Sequence, residues 1–198
     1  MEFVDKKKKY QTQKGFTLVE MLVAVLLFSL IIGVISGLFI SGIRGQRNAL
    51  ASQRLLDQTS YSLEYMSRAL RMAKKQTSDL PLCISSNGLN YEIVGSHLKF
   101  INHLEGDDCQ EFFLDSDPGS PTYHQLMQIK GGETLPLTSA KLEITSLRFS
   151  LSGQSQGDDL QPKVTVFLEI KGKGQQIAEQ PLMKIQTTVS QRNLDITY

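Results

Sequence analysis

Glu20 stands at the head of an apolar run, residues 21–40, and this places a carboxylate where water is scarce. An acid in that position is costly unless a cation pairs with it, so ion pairing is the first chemistry the chain suggests. Cys83 and Cys109 are the two cysteines. In an exported segment they can form a disulfide closing a loop of about 26 residues, which would add ~3 kcal/mol, or they can remain two free thiols. Asp115-Ser116-Asp117-Pro118-Gly119 resembles the start of a calcium loop. The bidentate glutamate such a loop needs is replaced by Leu126, so an acidic turn is the expected reading and calcium at Asp115 and Asp117 the alternative. His97, His103 and His124 have neither metal-ligand spacing nor a nucleophile beside them. They read as surface or hairpin residues, and no enzymatic activity and no resident cofactor is expected.

The elements that position Glu20 follow from the residues around it. Twenty apolar residues at about 1.5 Å rise each span the roughly 30 Å hydrocarbon layer, so residues 21–40 as a helix cross a bilayer once. Lys6, Lys7, Lys8, Lys9 and Lys14 precede the run, against Glu2 and Asp5. That excess keeps the N-terminus in the cytoplasm and sends the rest across the membrane. An ordinary secretory signal has a shorter apolar core and a small-residue cleavage site after it; here the run ends in Leu38-Phe39-Ile40-Ser41. A cut before the helix is the more economical reading. Without residues 1–15 the chain keeps 16 basic and 18 acidic residues, a near-neutral balance that argues against a strongly electrostatic nucleic-acid binder.

Gly15-Phe16-Thr17-Leu18-Val19-Glu20, with basic residues upstream and the apolar helix downstream, resembles the cleavage and methylation signature of type IV prepilins and type II secretion pseudopilins. The resemblance implies cutting between Gly15 and Phe16 by a membrane prepilin peptidase, and N-methylation of the new Phe16 amine. It also implies that Glu20 serves subunit assembly by pairing with the terminal amine of a neighbouring subunit. After cleavage Phe16 and Glu20 are at i and i+4, which on a helix would put both on one side. The implied partners are other pilin or pseudopilin subunits, the prepilin peptidase, the platform protein and ATPase of the assembly machine, and membrane lipid before assembly. Where many major pilins have a proline at the twenty-second mature position, this chain has Gly37. Gly33, Gly37, Gly42 and Gly45 each cost about 1 kcal/mol relative to alanine, so softening around residues 37–45 is expected. Arg44 and Arg47 would reach the outer head-group level.

Residues 48–75 continue the helix as an amphipathic one: Leu56, Thr59, Leu63, Met66, Leu70 and Ala73 fall in a 3,4,3,4,3 spacing. Beyond it the period changes. Segments 89–94 and 97–101 flank Gly95-Ser96, and 125–130 and 133–137 flank Gly131-Gly132, two hairpin signals, with Pro136 marking an edge strand. Residues 142–151 alternate in two phases, so a bulge near Thr145-Ser146 is expected. Residues 163–171 alternate cleanly, and 183–194 make a last strand. The expected organisation is a leader at 1–15, a membrane or filament-core helix at 16–42, an amphipathic helix at 43–76 and a globular β head at 77–198, an α+β fold with one long helix on an antiparallel sheet.

The texture of Gln53-Arg54-Leu55-Leu56, of Tyr65-Met66-Ser67-Arg68-Ala69-Leu70 and of the C-terminal Thr187-Thr188-Val189-Ser190-Gln191-Arg192-Asn193 resembles minor pilins and pseudopilins. The expected role is a minor-type structural subunit, first a single-pass protein of the cytoplasmic membrane with its head outside, then part of a surface pilus or periplasmic pseudopilus. Two alternatives compete. One is a membrane-tethered binding module for DNA uptake or adhesion; the other is a signal-anchored exported domain that never polymerises. The chain has no G-x-x-x-x-G-K-[ST] phosphate loop, so the motor of assembly must be another protein.

Overall fold

The computed structural model of the protein describes residues 15–78, 80, 82–155, 160–174 and 180–192. The five leader lysines, Asn193 and Leu194 lie outside the described residues. Helix α1 (Leu18–Arg71) carries the chain through two compact units, one ending at Gly45 and the other beginning at Gln46. In the first unit every described side chain is exposed, and the helix is long and apolar enough to cross a membrane. Ser29, a polar residue midway along the run, donates its hydroxyl to the Val25 carbonyl at 2.8 Å. A hydroxyl satisfied by its own helix in this way can enter an apolar medium at small cost. Helix α1 runs unbroken through the glycine-rich residues 37–45. Glycine lowers helix propensity but keeps its backbone N–H, so the hydrogen-bond ladder continues.

In the second unit the buried face of α1 is Leu55, Thr59, Ser62, Met66, Ala69 and Leu70. Leu56, expected in that stripe, is 49% exposed, and Leu63 only borders the core. One residue of offset rotates a helix face by about 100°; hydrophobicity does not separate Leu55 from Leu56, and it favoured Leu63 over Ser62. The small hydroxyls are accepted inside because Thr59 donates to the Leu55 carbonyl at 2.6 Å and Ser62 to the Gln58 carbonyl at 2.9 Å. Helix α1 was expected to reach Gln76 but ends at Arg71. Its last turn tightens through Met72 N–H to the Ala69 carbonyl, and the chain then joins a sheet edge as β1 (Ala73–Lys74). Sheet pairing takes up the backbone groups that another helical turn would have used.

Among the described residues the head contains two antiparallel sheets where one was expected. The first holds β1, β2 (Tyr91–Val94), β3 (His97–Asn102), β4 (Asp108–Leu114), β5 (Leu126–Lys130) and β6 (Glu133–Pro136). Both β1 and β2 lie along the same side of β3, and β4, β5 and β6 follow on the other. The second has the order β7 (Leu142–Ser152), β8 (Lys163–Gly172), β9 (Leu182–Ser190). Both glycine turns are hairpins: Val94 pairs with His97, and Lys130 with Glu133 across Gly131 and Gly132, whose positive φ angles of 57° and 79° suit a primed turn. Pro136 is in the edge strand β6, and the β7–β8 register shifts between Ile144 and Ser146, as expected. The final strand is β9, ending at Ser190.

Strand β4 was missed because its inward residue Gln110 is polar. Gln110 accepts from Asn102 at 2.8 Å and donates to Gln128 at 3.3 Å, a row of buried amides crossing β3, β4 and β5. Satisfied amides can occupy interior positions, and they erase the apolar alternation by which a strand is recognised.

One core joins helix and both sheets. Leu55, Met66 and Leu70 of α1 meet Tyr91, Leu98, Phe100 and Phe112 of the first sheet and Ile144, Val164, Val166, Leu168 and Ile170 of the second. Tyr91 donates its hydroxyl to the Leu70 carbonyl at 2.6 Å, satisfying an acceptor in the last helical turn. Cys83 and Cys109 are joined in a disulfide, with Cα atoms 5.3 Å apart. It fixes the segment between β1 and β2 to strand β4. Closing a loop of this length contributes about 3 kcal/mol.

Candidate functional site

The N-terminal junction is built from Gly15, Phe16, Thr17 and Glu20. Thr17 is the residue before the first helical one, and its Oγ1 accepts a hydrogen bond from the Glu20 N–H at 3.2 Å. Its carbonyl accepts the Met21 N–H at 3.2 Å. This is a helix cap of the threonine-x-x-glutamate kind, worth about 1 kcal/mol. The acidic side chain of Glu20 in the first turn also complements the positive end of the helix dipole. Thr17 is a functional residue that the reading of charge and hydropathy missed, although the spacing of Thr17 and Glu20 is the signal for it. In the uncut chain Phe16 lies just outside the helix and is 77% exposed. The Phe16 backbone is therefore presented ahead of the capped turn, and nothing lies within 4 Å of where a side chain on Gly15 would begin.

A small residue and an exposed aromatic, then a capped acidic turn, then a membrane-length helix, are the parts of one signal. Residues 10–36 match the model of the prokaryotic N-terminal methylation motif. The chain carries the prepilin-type methylation motif. It is consistent with type IV pilins and pseudopilins. No significant match to a curated protein or to a solved structure accompanies it. The motif covers the leader end and the start of α1, and the head is described on its own residues.

Outside the prepilin-type motif, the remaining candidate residues are engaged in local structure. The Asp115 carboxylate accepts from Thr122 Oγ1 at 2.6 Å, from the Ser120 hydroxyl and from the Asp117 N–H, while Asp117 accepts from the Gly119 N–H at 3.0 Å. A calcium ion at Asp115 and Asp117 would compete with those donors, and no cluster of three or more potential ligands occurs among the described residues. His97 pairs with Glu111, His103 with Asp107 and His124 with Glu143, at 2.9–3.1 Å, three separate surface pairs on different parts of the head.

Four carboxylates of the head are held below their usual range; for Glu143 burial pushes the other way, and hydrogen bonds from His124 and Lys171 outweigh it. Hydrogen bonds from Lys74 and His103 lower Asp107, those from Ser120 and Thr122 lower Asp115, and those from the side chain and backbone of Ser85 lower Glu92. An unfolded carboxyl takes up its proton near pH 4, before the folded one does. The resulting stability is complete above that pH and is lost as pH falls toward the folded values. The thermal midpoint of the full chain in neutral detergent is therefore expected to drop between about pH 5 and pH 3. A midpoint that stays level or rises over that interval would show that these hydrogen bonds are not retained.

Proposed function

We propose that the protein is a structural subunit, of the minor pilin or pseudopilin type, that is cut between Gly15 and Phe16, methylated on the Phe16 amine and assembled through α1 into a type IV pilus or a secretion pseudopilus. The observation that carries this reading is the N-terminal junction: the methylation motif at residues 10–36 spans the start of a capped helix with Glu20 in its first turn. In the membrane the chain waits as a single-pass protein with its head outside. In the filament the same apolar residues pack against those of neighbouring subunits, which removes them from lipid without exposing them to water. Minor-subunit status rests on the texture of residues 53–56 and 65–70. The proposed role needs no catalytic group and no cofactor from this chain, and force comes from the machine's ATPase and platform protein.

The test is the content of filaments sheared from cells. The mature chain should be present in that fraction from wild-type cells and missing from it in cells without prepilin peptidase, where it should accumulate in membranes. Equal recovery in both fractions would overturn the proposal, as would a chain confined to the membrane in both.

A further inference from the structure

A sheet edge leaves backbone N–H and C=O groups without strand partners, and folded proteins blunt such edges so that other chains do not pair with them. Most edge strands of this head carry such a device. Strands β1 and β2 are short, and the Gln154 side chain covers β2 by accepting from the Tyr91 N–H and donating to the Tyr91 carbonyl, both at 2.9 Å. Strand β6 is short and ends in Pro136. Strand β7 is interrupted by its register shift, and its Ile144 N–H is taken by the His124 carbonyl at 2.9 Å. Strand β9 carries none of these. It has nine residues, without proline or glycine, and pairs with β8 in unbroken register from Leu182 to Ser190. It is the last strand of the order β7-β8-β9, and among the described residues the hydrogen bonds and ion pair of residues 182–190 run to β8.

The side chains of β9 define what fits beside it. Lys184, its one charged residue, is paired with Glu169 of β8 at 3.1 Å, so the outer face of the strand, with Gln186, Thr188 and Ser190, is close to neutral. On the inner face Met183, Ile185 and Thr187 are only half-buried, whereas Val164, Val166, Leu168 and Ile170 of β8 are fully covered. In strand addition the backbone bonds supply affinity and the alternate side chains specificity. The added strand therefore needs apolar or small residues at every second position with uncharged polar ones between, a pattern that β9 itself has apart from the neutralised Lys184. We propose that β9 is the docking edge for β9 of a second copy of this chain, the two strands running antiparallel about a two-fold axis perpendicular to the sheet. With Gln186 opposite the partner's Gln186, every residue of the strand is paired. Met183 then faces the partner's Val189 and Ile185 the partner's Thr187 on the inner side. Lys184 faces the partner's Thr188 on the outer side, so no like charges meet. Such a contact is self-complementary and closes on two copies. It uses the head alone and does not depend on assembly through α1.

The experiment measures self-association of the full chain in neutral detergent by sedimentation equilibrium, where the wild type should be a reversible dimer. Gln186→Lys combined with Thr188→Lys sets lysine against lysine across the two-fold axis at exposed positions, so the dimer should dissociate about tenfold more readily or worse. Ser150→Lys with Ser152→Lys adds the same charge to the outer face of β7 and should leave the dimer as it is. Circular dichroism should give one melting midpoint for the three proteins. Association through α1 would be indifferent to both pairs of changes. Both native cysteines are held in the Cys83–Cys109 disulfide, so a cysteine introduced into β9 is the one free thiol. Gln186→Cys should therefore be joined to its copy by a short bis-maleimide, and Ser150→Cys should not. A monomeric wild type overturns the proposal, as does a dimer that the β9 lysines leave intact or that the β7 lysines weaken equally. Equal cross-linking at the two cysteine positions overturns the assignment to β9. A monomeric wild type that binds a synthetic strand of alternating valine and threonine would also overturn the pair, and would give the edge to a strand from another protein.

Discussion

Glu20→Ala subunits are expected to be inserted and cut normally and yet to be missing from filaments. The capping bond at the start of α1 uses the Glu20 backbone N–H, so alanine leaves the Thr17 cap and the helix start in place. What disappears is the carboxylate, which in the assembled helix bundle is proposed to face the Phe16 amine of a neighbour. Two unit charges 4 Å apart attract by about 4 kcal/mol at an effective dielectric constant near 20, and desolvation consumes much of that. A surviving net of only 1.4 kcal/mol per contact is still a tenfold loss of incorporation. The larger cost falls on the variant filament, where the neighbour's amine would be buried without a partner. Glu20→Gln keeps the size of the side chain and removes the charge, and it should fail as Glu20→Ala does. Quantitative immunoblots of sheared filaments against membranes measure both; incorporation at the wild-type level by either variant would remove the electrostatic argument.

Phe112→Ala is expected to be the most damaging single change in the head. Phe112 is fully buried in β4, with its ring centroid 5.6 Å from Phe100 of β3 and 6.3 Å from Tyr65 of α1. It therefore joins the helix to the sheet. Truncating a buried phenylalanine to alanine costs about 3–5 kcal/mol through lost burial and the cavity left behind. Against a total stability of roughly 5–15 kcal/mol, that brings the head close to unfolding. Phe112→Leu, which retains most of the volume, should cost less than about 1.5 kcal/mol if the neighbours repack. Urea unfolding of the full chain in detergent, followed by near-ultraviolet circular dichroism, separates the two variants. A loss below about 1 kcal/mol for alanine would mean that the core does not depend on this ring.

The membrane-length helix was legible in the sequence because an apolar run is a local signal. The Thr17 cap is just as local, but a reading of charge and hydropathy passed over it. Strand β8 was equally plain, since Val164, Val166, Leu168 and Ile170 are all buried and alternate with exposed or half-buried positions. The glycine hairpins and the β7 bulge were readable for the same reason: turn geometry and period belong to a few adjacent residues. What could not be read depends on partners far along the chain. The face of α1 is decided by which side the sheets cover, and Ser62 is inside because the helix must lie close to them. Strand β4 depends on Asn102 and Gln128 to satisfy Gln110, and neither partner is visible from residues 108–114 alone. The split into two sheets likewise follows from long-range pairing rather than from any local signal.

The most direct test of the account is the mass of the N-terminal peptide recovered from native membranes and filaments. The account predicts a peptide that begins at Phe16 and carries one methyl group on its amine. A chain that still begins at Met1 in cells containing the prepilin peptidase would contradict it.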